Sequence, residues 1–138
     1  CIPFGKAAVV REDRDVTVIG AHLYVGRALS GAEKLKAEGI DVEVIDPRTL
    51  VPFDKETIVN SVKKTGRAVV VHEAHRFCGF GAEIASMIME EAFNYLDAPV
   101  LRLGAKACPL PFNLGLENAV VPQESDIIEA VKKVMYKA

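Results

Sequence analysis

Apolar residues along this chain follow two rhythms: short unbroken runs, and longer stretches in which they recur three and four apart. The runs at 7–11, 16–19, 42–45, 68–72 and 99–103 predict strands. Ala68-Val69-Val70-Val71-His72 is β-branched without alternation, the pattern of a central strand covered on both faces. Helical spacing joins Val25, Ala28, Leu29, Ala32 and Leu35 within 24–38, and Gly39 closes that stretch as a C-terminal cap. A short helix after the N-cap candidate Asp54 uses Ile58, Val59 and Val62 and stops at Gly66. A third at 82–93 carries Ile84, Met87, Ile88 and Ala92 on one face. The last, with Ser125 as its expected cap, lines up Ile127, Ile128, Val131 and Val134 and places Lys132, Lys133 and Lys137 near the negative end of its dipole. Pro109, Pro111 and Pro122 predict an irregular connection before it.

About five strands alternating with helices imply an α/β fold, a three-layer α/β/α sandwich around a mixed, mostly parallel sheet. The link between the first two strands, Glu12-Asp13-Arg14-Asp15, is too short for a crossover, so one antiparallel strand is expected at an edge. With no repeat and no internal linker, residues 1–138 read as a single domain.

Half of the 138 residues are hydrophobic, enough to bury one core without disulfides. No run approaches the roughly 18 apolar residues of a membrane span, so a soluble domain with no membrane partner is expected. Lys and Arg number 17 against 19 acidic residues, and the signs are interleaved, which argues against a nucleic-acid surface. Cys1, Cys78 and Cys108 are odd in number and widely spaced, so reduced thiols are expected. Cys1-Ile2-Pro3-Phe4 has neither the basic start nor the apolar middle of a signal peptide, and the chain reads as a piece of a longer protein.

Candidate chemistry gathers in 73–81, between the central strand and a helix. Gly79-Phe80-Gly81 invites a phosphate-binding reading, but Ile84 stands where the dinucleotide fingerprint needs a small residue. Glu83 would repel an anion, and the following strand ends without the ribose-binding acid. Gly79 and Gly81 are therefore assigned to tight turn packing. His72 and His75, three apart at a strand end, should point to opposite sides and do not make a zinc motif. Cys78 has only His75 nearby as a possible base, and Ser86 lacks a nucleophile elbow. The residues thus supply no catalytic, cofactor-binding or metal-ligating set. Arg48, in Asp46-Pro47-Arg48-Thr49-Leu50-Val51-Pro52, is expected to hold a rigid turn through hydrogen bonds from its guanidinium. His75, Arg76, Phe77, Phe80, Leu110 and Phe112 are expected to share one end of the sheet as a subunit interface.

A resemblance covers nearly the whole chain. Gly5-Lys6-Ala7, Asp15-Val16-Thr17, Val44-Ile45-Asp46-Pro47-Arg48-Thr49-Leu50-Val51-Pro52, Ser61-Val62-Lys63-Lys64-Thr65-Gly66-Arg67, Gly81-Ala82-Glu83-Ile84-Ala85 and Leu96-Asp97-Ala98-Pro99-Val100 occur in order. Together they resemble the C-terminal, transketolase-type domain of 2-oxoacid dehydrogenase beta subunits, the family of pyruvate, branched-chain 2-oxoacid and acetoin dehydrogenases. The resemblance implies a parent oxidoreductase that uses thiamine diphosphate and magnesium held by other segments. It implies a non-catalytic assembly role for this domain, inactive when isolated. The implied partners are an alpha subunit, a second beta subunit in a heterotetramer, and the subunit-binding domain of the dihydrolipoyl acyltransferase core. The isolated piece is expected to self-associate, and the implied compartment is the cytoplasm or the mitochondrial matrix. Alternative readings are a regulatory nucleotide- or anion-binding module, and the C-terminal domain of a transketolase or deoxyxylulose-phosphate synthase. The chain departs from the family at Ala107, where many members carry an acid, and in its bulky His75-Arg76-Phe77-Cys78 turn. Its tail, 121–128, leans toward pyruvate dehydrogenase.

Overall fold

The structure, a computed structural model, describes residues 2–137, so Cys1 lies outside the described residues. The two most apolar strands, β2 (Val16–Gly20) and β4 (Ala68–His75), sit side by side at the centre of a five-stranded sheet. Outside them lie β3 (Val42–Asp46), β1 (Ala8–Arg11) and β5 (Leu101–Ala105), in the order β1-β3-β2-β4-β5. All neighbours are parallel except β1, which runs antiparallel along β3 with Val9 opposite Ile45. This is the mixed sheet with one antiparallel edge strand that the short link at residues 12–15 requires.

Alternation along the strands sends successive side chains to two separate cores. Val16, Val18, Val44, Val69 and Val71 meet Tyr24, Ala28 and Leu35 of α1 (Leu23–Ala37) and Ile127 and Val131 of α5 (Glu124–Val134) on one face. Ile19, Ile45 and Val70 meet Ile58 and Val62 of α2 (Lys55–Thr65) and Ile84 and Ile88 of α3 (Phe80–Ala92) on the other. Fully burying each Val or Ile contributes about 1.5–3 kcal/mol, and residues of this kind dominate both layers.

Local chemistry sets the helix ends. Asp54 accepts from the Thr57 N–H at 3.2 Å, as an N-cap does, and also ties down the Ala7 N–H at 3.0 Å. Gly66 closes α2 at φ 71, a left-handed turn that suits glycine. Three elements differ from expectation. Strand β4 continues three residues beyond 72, through a bulge, because Glu73 and His75 are exposed and His75 pairs with Ala105. The connection after β5 contains a seven-residue helix, α4 (Leu114–Val120), because Asn113 accepts from the Gly115 and Leu116 N–H groups and both earlier prolines lie upstream of it. Helix α5 starts one residue before Ser125, and the flanking residue is Gln123, whose N–H donates to Asp126 Oδ2 at 2.6 Å.

Candidate functional site

The chain leaves the two central strands in opposite directions, from β2 through α1 to β3 and from β4 through α3 to β5. Helices α1 and α3 therefore start from adjoining strand ends, where open α/β sheets form their crevice. Residues 72–81 fill that position.

His72 points inward, fully buried, with its ring 4.3 Å from that of Phe80. Its Nδ1 lies 3.0 Å from the Ala74 carbonyl oxygen, which can only accept, so Nδ1 carries the proton. Burial pushes its pKa below the ordinary imidazole range, against a smaller upward effect from the Ala74 bond, and Arg102 lowers it further. The ring is neutral at pH 7. A β-carbon at Gly79 would come within 2.6 Å of His72 Cε1, and one at Gly81 within 2.5 Å of Nε2. The two glycines admit an imidazole, which explains their spacing without a phosphate. His75, three residues on, faces outward as strand geometry requires.

His75 Nε2 lies 3.0 Å from the Cys108 carbonyl oxygen, which joins the turn after β4 to the connection after β5. The Arg76 N–H donates to the Ala105 carbonyl at 3.0 Å, and Arg102 Nη1 donates to the Arg76 carbonyl at 3.2 Å. Five apolar side chains on the turn after β4 and on the segment that follows β5 are exposed: Phe77 at 80%, Phe112 at 106%, and Leu110, Leu114 and Leu116 at half or more. Phe80 differs from them, being half-buried against His72 and the core beneath α3. Helix α4 buries none of its residues in this chain. Leu114 and Leu116 were not singled out in the sequence, although Asn113 followed by Glu117 is a helix-start signal.

Arg48 is exposed at φ 58, and its guanidinium makes no hydrogen bond among the described residues. Thr49 holds the turn instead. Its hydroxyl accepts from the Gly5 N–H at 3.0 Å and donates to the Pro52 carbonyl at 2.7 Å. Cys78 is an exposed free thiol and Cys108 a half-buried one.

The residues present do not fit the diphosphate and magnesium that the resemblance implies for a parent enzyme. The glycine turn is occupied by the His72 ring, and Glu83 sits in the first turn of α3. Among the described residues, no three His, Cys, Asp or Glu side chains converge as a metal site requires. No step of a thiamine-dependent reaction is assigned to this chain.

Residues 5–127 match the family described as the C-terminal domain of transketolase. The chain belongs to this family. A Rickettsia felis protein named pyruvate dehydrogenase E1 component subunit beta is 52% identical over 135 residues, covering 98% of this chain and 41% of the relative. The mitochondrial protein of that name from Dictyostelium discoideum is 47% identical, covering 96% of this chain and 37% of its own length. The chain thus spans well under half of these oxidoreductase subunits. Among solved structures, a split-gene transketolase described as an inactive beta4 tetramer superposes with a TM-score of 0.84 at 30% identity, over 98% of this chain and 43% of that one. A 2-oxoglutarate:ferredoxin oxidoreductase shares the fold at 15% identity and a TM-score of 0.61. The chain is thus a transketolase C-terminal domain whose curated relatives include pyruvate dehydrogenase beta subunits.

Proposed function

We propose that this domain pairs subunits in a thiamine-diphosphate-dependent pyruvate dehydrogenase and offers a docking surface to the dihydrolipoyl acyltransferase core. It carries none of the catalytic groups. The parent enzyme decarboxylates a 2-oxoacid and passes the acyl group to lipoyl carriers, with thiamine diphosphate and magnesium held by the alpha subunit and by other parts of the beta subunit. Its place is the bacterial cytoplasm or the mitochondrial matrix, and no helix among the described residues is long and apolar enough to cross a membrane.

The observation that carries this reading is the exposure of Phe77, Leu110, Phe112, Leu114 and Leu116, on the turn after β4, the connection after β5 and a helix that buries none of its residues within the chain. Exposed large apolar side chains in such number, with Arg76 next to Phe77 in sequence, have the composition of a protein interface. The fully exposed ring of Phe112 gains by burial against another subunit, and about 1.5–3 kcal/mol is available for such a side chain. Higher identity to pyruvate dehydrogenase beta subunits than to the split-gene transketolase favours a pyruvate dehydrogenase parent over a transketolase.

Sedimentation of the protein and of Phe77→Asp/Phe112→Asp is the test. The protein is expected to self-associate, and the double variant to be monomeric with unchanged helix content and thermal midpoint. Phe80 is left intact because it supports His72. A monomeric unsubstituted protein at high concentration would remove the main support for pairing through these side chains.

A further inference from the structure

The recess between the turn after β4 and the end of β5 has a volume of about 440 Å³ and is lined by Arg76, Phe77, Arg102, Gly104, Ala105, Lys106 and Ala107. Three of the seven are cationic and none is acidic. Arg76, Arg102 and Lys106 enter no ion pair among the described residues, a property they share with cations such as Lys6 and Lys36; what sets them apart is that all three line one concavity. Three unmatched positive charges in one concavity repel each other, and a bound anion would relieve that repulsion.

The arrangement is fixed by the backbone. A β-carbon on Gly104 would lie 2.8 Å from Arg76 Cα and 2.9 Å from its nitrogen, so the Arg76 backbone crosses β5 at a distance only glycine permits. The Arg76 N–H donated to the Ala105 carbonyl then fixes the Arg76 backbone, and the Arg102 guanidinium, donating to the Arg76 carbonyl, is held against it. One Nη1 donor of Arg102 is used in this way, which leaves the rest of its planar fork for a ligand. Lys106 is placed by its own N–H, donated to the Val120 carbonyl at 3.0 Å. The larger groove that adjoins the recess shares Arg76, Arg102 and Lys106 and adds Lys133 together with Asp126 and Glu129, so four cations face two carboxylates and the region stays net positive.

We infer that this recess binds a compact oxyanion of high charge density, the phosphate group of a small phosphorylated molecule. Two guanidinium forks and an ammonium match a tetrahedral dianion, and the volume leaves room for a small organic body against Phe77. The site is separate from the glycine turn, where His72 and Glu83 oppose an anion. Every residue named is on this chain, and Arg76 and Phe77 also border the surface proposed above for subunit pairing.

The test is a titration of the protein with inorganic phosphate at constant ionic strength, followed by backbone and arginine Nε NMR shifts, with chloride as the control anion. Saturable shifts confined to Arg76, Arg102, Gly104 and Lys106 are expected. Arg102→Gln should weaken binding about tenfold, the loss of one charge-assisted pair. Lys106→Gln, at an exposed position whose backbone bond survives, should weaken it with no change in thermal midpoint. Lys36→Gln, remote on α1, should bind as the unsubstituted protein does. Shifts that fail to saturate, that chloride reproduces, or that survive both groove substitutions would overturn the inference.

Discussion

The His72 ring lies so close over Gly81 that a β-carbon there would stand 2.5 Å from Nε2. Because the histidine sits on β4 and the glycine in the first turn of α3, this one contact sets the angle at which the strand hands over to the helix. Gly81→Ala gains helix propensity but must displace a fully buried ring, and overpacking of that kind costs about 1–3 kcal/mol. A lowered urea midpoint is expected, largely restored when His72→Ala is added. An unchanged midpoint in the single variant would mean that the ring moves aside freely.

The same histidine makes stability depend on pH. Its pKa in the folded protein is depressed, chiefly by burial, so below the ordinary imidazole value of about 6.5 the unfolded chain takes up the proton first. Its contribution is fully present above that value and is lost as pH falls from there toward the lower folded pKa. Urea midpoints should therefore decline between pH 7 and pH 5 more steeply in the unsubstituted protein than in His72→Gln. Parallel declines would assign the pH dependence to other groups.

Arg48 shows what a sequence motif leaves undecided. The two prolines and Asp46 identified a rigid turn, and the turn is there, but an arginine within it can point either to acceptors or to water. Here it takes φ 58 and faces outward, while Thr49 supplies the bonds. Arg48→Lys is accordingly expected to move the midpoint by less than about 0.5 kcal/mol, as an exposed substitution does. Thr49→Val, which breaks both hydroxyl bonds, should cost about 1–2 kcal/mol. Equal effects of the two substitutions would contradict this division of roles.

The sheet and its four long helices were legible because their signals are local and repeat: β-branched runs for the strands, spacing of three and four for the helices, and caps at Asp54 and Gly66. The short link before β2 even fixed the antiparallel edge. Helix α4 escaped because it has no buried face, so periodicity had nothing to register and only the Asn113 cap marked it. Phe77, Leu110 and Phe112 are exposed as expected, whereas Phe80 was not separable from them, since an aromatic between two glycines reads the same whether its ring turns in or out. The cation recess was invisible for another reason: Arg76, Arg102 and Lys106 meet only once the register of β4 against β5 is known.

Glu43 is the most deeply buried charged residue here, 1% exposed in the middle of β3, and its strand pattern gave no warning of its role. Its carboxylate accepts from the Ser61 hydroxyl, from the Lys64 ammonium and from the Asp13 N–H, the last at 3.1 Å. Ser61 in turn lies 2.7 Å from the Thr17 hydroxyl, and Thr17 lies 2.8 Å from that of Thr65, so one polar chain runs between α2 and the sheet. Each member depends on the next, because a buried polar atom without a partner costs about 1–3 kcal/mol. Glu43→Ala strands the Ser61 and Asp13 donors and opens a cavity, and a loss of about 3–5 kcal/mol is expected. Glu43→Gln keeps the shape and an acceptor oxygen, giving up mainly the Lys64 pair, which is half exposed and worth correspondingly less. Chemical denaturation of Glu43→Ala, Lys64→Met and the double variant should therefore give strongly non-additive losses, with the double variant scarcely worse than Glu43→Ala alone. Additive losses would show that Lys64 acts in solvent, independently of the carboxylate, and that the chain of hydroxyls alone holds α2 to the sheet.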